Sequence, residues 1–176
     1  MSLIIDGYNF LNATDLGAPG RTAGTLAAAR LAVLNFVAES VPANQLPRTT
    51  VVFDAGDGAP RGRARVHEYR GLTVRFASDY KDADELIEQL IEADSAPRRL
   101  TVVSSDHRLQ RAARRRRANP IDSDRWYSQV SQQRRRDQQR AHSAKPPPPA
   151  TAGEVEYWMR LFDETTHQKD ATRPEN

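Results

Sequence analysis

Leu3-Ile4-Ile5-Asp6-Gly7-Tyr8-Asn9, at the start of this 176-residue chain, sets an acid directly behind a buried-strand pattern. The apolar, β-branched run predicts a short strand over residues 2–5. A carboxylate in that place is costly to bury unless it meets a partner, a metal or solvent. Gly7 allows a tight turn, and Asn9 can position Asp6, a water or a phosphate. A polar loop with Gly17, Pro19 and Gly20 is expected next. The same pattern recurs twice. Thr49-Thr50-Val51-Val52-Phe53 runs into Asp54-Ala55-Gly56, and Leu100-Thr101-Val102-Val103 runs into Ser104-Ser105-Asp106.

Helical periodicity fills the spaces between. A helix capped by Thr22 or Thr25 is expected to reach residue 40, with Leu26, Ala29, Val33, Phe36 and Val37 on one face. Residues 57–71 are Gly- and Arg-rich and read as a loop or hairpin, followed by a strand at 72–76. Residues 82–94 read as helix, with Ala83, Leu86, Ile87, Leu90 and Ile91 on one stripe. Further helices are expected at about 107–117 and from Ser123 or Asp124 to about 140, with Ile121 in a short strand between them. Strands alternating with helices predict an α/β three-layer sandwich around a mostly parallel sheet. Ligands of such sheets bind at the carboxyl ends of the strands, where Asp6, Asp54 and Asp106 stand.

Phosphodiester hydrolysis by metal ions needs hard oxygen ligands converging on Mg2+ or Mn2+. Asp6 is the strongest candidate and Asp106 the next. Asp82, Asp84 and Glu85 open a helix, where acids also serve to oppose the helix dipole. Asp54 is a fourth candidate, and Asp122 and Asp124 are weaker ones. Each strand-end Asp has a plainer role available, as the cap of the following helix. The chain has no Cys, which excludes disulfides and thiolate metal sites. No Gly-x-Gly-x-x-Gly follows the first strand, which disfavours a dinucleotide enzyme. No Asp-x-Asp follows it either, which disfavours a phosphatase.

The net charge of +3 hides an asymmetry. Residues 1–97 carry 9 Lys and Arg against 13 Asp and Glu, residues 98–140 carry 13 against 4, and residues 141–176 carry 4 against 6. Of the 26 basic residues 23 are Arg, the side chain that forks phosphate. Arg111, Arg114, Arg115, Arg116 and Arg117 crowd one expected helix; Arg134, Arg135, Arg136 and Arg140 crowd the next. The block predicts salt-sensitive backbone contacts with RNA, because Trp126 and Tyr127 are the only aromatics near enough to stack on bases. Residues 1–140 are read as one domain, 141–152 as a proline-rich linker, 153–164 as a short amphipathic helix and 165–176 as a disordered tail. Val155, Trp158, Met159 and Phe162 share one stripe of that helix, which suits docking in cis or on a protein partner. Nothing approaches the roughly 20 apolar residues of a membrane span, so a cytoplasmic protein is expected.

Ile4-Ile5-Asp6-Gly7-Tyr8-Asn9-Phe10-Leu11 closely resembles the opening of NYN-domain proteins, especially the YacP-like subfamily. Val52-Phe53-Asp54-Ala55, Ala83-Asp84-Glu85-Leu86-Ile87-Glu88 and Val103-Ser104-Ser105-Asp106 resemble its later landmarks, in the expected order. The resemblance covers about residues 2–140. It implies a PIN-like nuclease fold, a Mg2+ or Mn2+ pocket and RNA cleavage, in some relatives on ribosome-bound message. By match the pocket is Asp6, Asn9, Asp84 and Asp106, with Asp82 and Glu85 as alternates at the helix position. Asp54 matches a metal-binding position of the related flap nucleases. The expectation is therefore a metal-dependent endoribonuclease, and its competitor is an RNA-binding module with an unused acidic pocket.

Overall fold

Alternation along the central strands sorts side chains to two helical layers. In β1 (Ser2–Asp6), Leu3 and Ile5 face one layer and Ile4 the other; in β2 (Thr49–Phe53), Val51 and Phe53 oppose Val52. The computed structural model describes residues 1–17, 26–55 and 65–143, with the single positions 153, 156 and 157. The chain divides into two units, Met1–Arg135 and Arg136–Asn176. The first unit contains a six-stranded sheet. Its remaining strands are β3 (Val66–Tyr69), β4 (Leu72–Phe76), β5 (Leu100–Val103) and β6 (Asn119–Ile121), in the order β3-β4-β2-β1-β5-β6. Five strands run parallel, and β3 is an antiparallel edge. Arg70 and Gly71, with φ of 49° and 86°, make the two-residue turn that folds β3 onto β4. Positive φ at both turn residues matches the twist of a hairpin.

One face of the sheet is covered by α1 (Gly7–Asn12), α2 (Leu26–Ser40) and, through Trp126, Tyr127 and Val130, the start of α5 (Ser123–Ser143). Phe10, Phe36 and Trp126 meet there, with ring centroids 5.4–6.2 Å apart. The other face is covered by α3 (Ala83–Ala93) and α4 (His107–Arg115), through Leu86, Ile87, Ile91, Leu109 and Ala113. The three-layer α/β expectation therefore holds.

Two local expectations change. Residues 7–12 form a helix where only a strand end and the start of a polar loop are expected, because Asp6 caps it and Phe10 is fully buried beneath it. Trp126 offers no stacking face to bases, being buried, and Tyr127 is half-buried with its ring 4.9 Å from that of Phe36. The caps proposed at Thr22 and Thr25, and most of the loop at 57–71, lie outside the described residues. So do residues 144–152 and the tail 165–176. Of the expected helix 153–164, Gly153, Glu156 and Tyr157 are described, and all three are helical.

Candidate active site

β1 lies between β2 and β5; the chain passes from β1 to β2 on one side and later crosses from β4 to β5 on the other, which opens a crevice at the carboxyl end of β1. Asp6 closes β1 there and is 93% buried, its relative exposure being 7%. Its Oδ1 accepts the Asn9 N–H at 3.1 Å, which starts α1. Its Oδ2 accepts the Ser104 hydroxyl at 3.2 Å. The same hydroxyl accepts the Asp106 N–H at 3.1 Å, so Ser104 joins the ends of β1 and β5. Asp106 in turn caps α4, its Oδ1 accepting the Arg108 N–H at 2.5 Å. Capping therefore does not exclude a further role, since it engages one oxygen of each carboxylate.

Asn9, whose N–H already holds Asp6, also uses its side chain. Its Oδ1 accepts the Ser105 N–H and the Ser123 hydroxyl, each at 2.8 Å. It pins the end of β5 and the start of α5 around Asp6. At the α3 start the three acids separate. Asp82 is the N-cap, accepting the Glu85 N–H at 2.8 Å, and Glu85 reaches back to the Lys81 N–H at 2.9 Å. That reciprocal capping leaves Asp84 as the acid without a capping role. Asp54 accepts the Ala83 N–H at 2.6 Å and ties β2 to the same helix start. Asp122 accepts from the Gln110 side chain at 2.7 Å, a contact between α4 and the residue that joins β6 to α5.

Electrostatics shows which acids share one space. Burial raises the Asp6 pKa from 3.8 to about 6, and repulsion from Asp84 and Asp54 adds to the rise, against hydrogen bonds from Asn9 and Ser104. Burial also raises Asp84, with repulsion from Asp106, Asp82 and Asp54, while Arg108 opposes the rise. Asp84, at the start of α3, thus joins Asp6, Asp54, Asp82 and Asp106 in one repelling set beside the strand ends. Among the described residues no three His, Asp or Glu groups converge into a ready-made cage. Mg2+ retains several waters, so it does not require one. Hard oxygen donors whose mutual repulsion a cation would relieve fit a hydrated divalent ion.

The arginines fall into two groups. Arg116 is held by Glu92 and the carbonyls of Glu92 and Asp94. Arg134 is held by Glu39 and Ser40 and lies over the Phe36 ring. Arg111, Arg114 and Arg115 instead line a groove of about 610 Å³ with Glu88 and Arg108. Arg117 has a φ of 60° just beyond α4, and Arg135 and Arg136 lie on opposite sides of the unit boundary. Sequence reasoning missed Arg108, whose signal was a basic residue two positions after the capping Asp106. It also missed Ser104 and Glu88.

The raised Asp6 pKa gives a pH prediction. Between about pH 4 and about pH 6 the folded state keeps a proton that the unfolded chain has released, so folding stability falls as pH rises through that window, by up to about 3 kcal/mol. In metal-free protein, the difference in Tm between Asp6→Asn and wild type is expected to widen from about pH 4 to about pH 7. Thermal melts at both pH values check this, and a pH-independent difference would contradict it.

Comparison with known proteins accords with this geometry. The model of the YacP-like NYN domain matches residues 3–157. A crystal structure of a point mutant of Rae1 (YacP) from Bacillus subtilis is similar, with a TM-score of 0.63 and 25% identity over 81% of this chain and 83% of that one. A second Rae1 (YacP) crystal structure from Bacillus subtilis shares the fold, with a TM-score of 0.59 and 22% identity over 99% of each chain. No curated protein gives a significant match. With the family pattern spanning the sheet, the strand-end acids and α5, the chain belongs to the YacP-like NYN domain family.

Proposed function

We propose that this chain is an endoribonuclease that hydrolyses RNA phosphodiester bonds with Mg2+ or Mn2+ held at Asp6, Asp84 and Asp106. The observation that carries the reading is the clustering of repelling carboxylates around buried Asp6 at the switch point of the sheet. The family itself suggests a nuclease, which is a hydrolase. The metal, when bound, supplies charge neutralisation and an activated water. Asp6, Asp84 and Asp106 hold it, with Asp54 as a further oxygen donor beside them. Asn9 and Ser104 fix the strand ends that carry those acids. Asp82 and Glu85 each give one oxygen to the helix start and stay alternates to Asp84 at that position.

RNA is held along the outer face of α4 by Arg111, Arg114 and Arg115, with Arg117 and Arg135 adding basic charge in the same unit; Arg136, in the second unit, is a separate RNA contact. The domain is residues 1–140, and its basic block suits structured RNA such as a ribosome-bound message. The segment 153–164 is a contact for a protein partner. No helix among the described residues is long and apolar enough to cross a membrane, and a cytoplasmic location is part of the proposal. Replacing Arg111 and Arg115 together with Ala is expected to reduce the slope of log Kobs against log salt by roughly 1.4–1.8, the value for two phosphate contacts. Binding titrations at several salt concentrations measure it, and an unchanged slope would remove α4 from the interface.

The test of the function is incubation of purified protein with single-stranded and structured RNA, with Mn2+ or Mg2+ and then with EDTA. Cleavage that EDTA abolishes is expected. One observation favours the alternative of an RNA-binding module: Arg108 already pairs with Asp84 and Asp82. Salt-sensitive binding without cleavage of either RNA would support that alternative.

A further inference from the structure

Arg108 stands at the rim of the acidic cluster, in the first turn of α4. Glu88, on α3, grips one edge of its guanidinium. Nε donates to Oε1 at 3.2 Å and Nη2 to Oε2 at 2.7 Å, a two-pronged fork. The remaining nitrogen is not so engaged. Nη1 lies 3.7 Å from Asp84 Oδ2 and 3.8 Å from Asp82 Oδ2, beyond hydrogen-bond length. Among the described residues Arg108 is the one basic side chain ion-paired with these acids. Its side chain is 43% exposed, so it is open to a ligand. The groove lined by Arg111, Arg114 and Arg115 begins at the same residue.

We propose that Arg108 binds the RNA phosphate at the acidic cluster through Nη1, and that Glu88 is its positioning residue. The inference rests on the nuclease reading and adds a specific phosphate-holding group to it. A guanidinium can grip Glu88 on one edge and a nonbridging phosphate oxygen on another; an ammonium, being a point charge, cannot do both in fixed geometry. The carboxylates alone would repel the phosphate, and Arg108 supplies a positive charge where it must approach. Arg116 and Arg134 pair instead with Glu92 and with Glu39, which are not among the acids of the cluster.

The test compares wild type, Arg108→Ala, Arg108→Lys and Glu88→Gln, each checked for an unchanged Tm. One readout is anisotropy of a labelled RNA in EDTA; the other is single-turnover cleavage in Mn2+. Arg108→Ala is expected to bind RNA roughly tenfold more weakly in EDTA. Arg108→Lys is expected to bind nearly as wild type yet cleave roughly 100-fold more slowly, the loss typical of one preorganised donor. Glu88→Gln removes a negative charge, so binding is expected to hold or tighten while cleavage slows by roughly tenfold. That opposition of binding and rate would not arise from structural damage. If wild type cleaves and Arg108→Lys cleaves within about threefold of it, the inference falls and the nuclease reading stands. If wild type cleaves nothing in Mn2+, or in Mg2+ run beside it, the nuclease reading falls. Undiminished binding by Arg108→Ala in EDTA would overturn the phosphate contact in either case.

Discussion

Asp6→Asn is expected to lose RNA cleavage by on the order of 1,000-fold, equivalent to about 4 kcal/mol of transition-state stabilisation, with the fold intact. The exchange keeps the shape and an oxygen that can accept the Asn9 N–H, so α1 retains its cap. The negative charge is what disappears. Burial and the nearby Asp84 and Asp54 already make that charge unfavourable in the metal-free protein, as its pKa of about 6 records. The variant should therefore melt higher than wild type near neutral pH, by about 1–3 kcal/mol in stability. Loss of activity together with gain of stability identifies a site that keeps a destabilising charge for its chemistry. A variant that loses both would mark Asp6 as a folding residue.

Gly7→Ala is expected to destabilise the fold by about 3 kcal/mol and to reduce cleavage through displacement of Asp6. A Cβ at Gly7 would overlap the ring of Phe53. That ring has little freedom to yield. Phe53 is fully buried, with Tyr8 and Phe76 at 5.3 and 5.9 Å between centroids and the Arg30 guanidinium at 6.0 Å. The backbone must shift instead, and the residue that precedes it is the buried acid. Denaturant melts and cleavage assays measure the two effects. Wild-type stability in Gly7→Ala would show that β1 and β2 adapt more freely than this packing implies.

The central strands were legible because β-branched runs ending in Asp carry their signal locally. The parallel sheet and the gathering of the strand-end acids followed from that repetition. Helix α1 was not legible: it is six residues long, begins at Gly7, and depends on the Asp6 cap and the burial of Phe10. Strand β3 was hidden because three of its four residues are exposed, so no alternation marks it. At the start of α3 the sequence offers Asp82, Asp84 and Glu85 alike; hydrogen bonding to Lys81 and Glu85 N–H groups assigns two of them to capping. The arginines posed the same difficulty. Glu39 on α2 engages Arg134 and Glu92 on α3 engages Arg116, and neither partner is near in sequence. Arg108 went unread because its relation to Glu88 and Asp84 exists only once α3 and α4 pack side by side.

The most direct test of the central claim is a covalently closed circular RNA, incubated in Mn2+ with wild type and with Asp6→Asn. Endonucleolytic cleavage at the acidic pocket predicts that wild type opens the circle, that EDTA prevents this, and that Asp6→Asn leaves the circle closed. A circle left intact by wild type, or opened equally well by Asp6→Asn, would contradict the account.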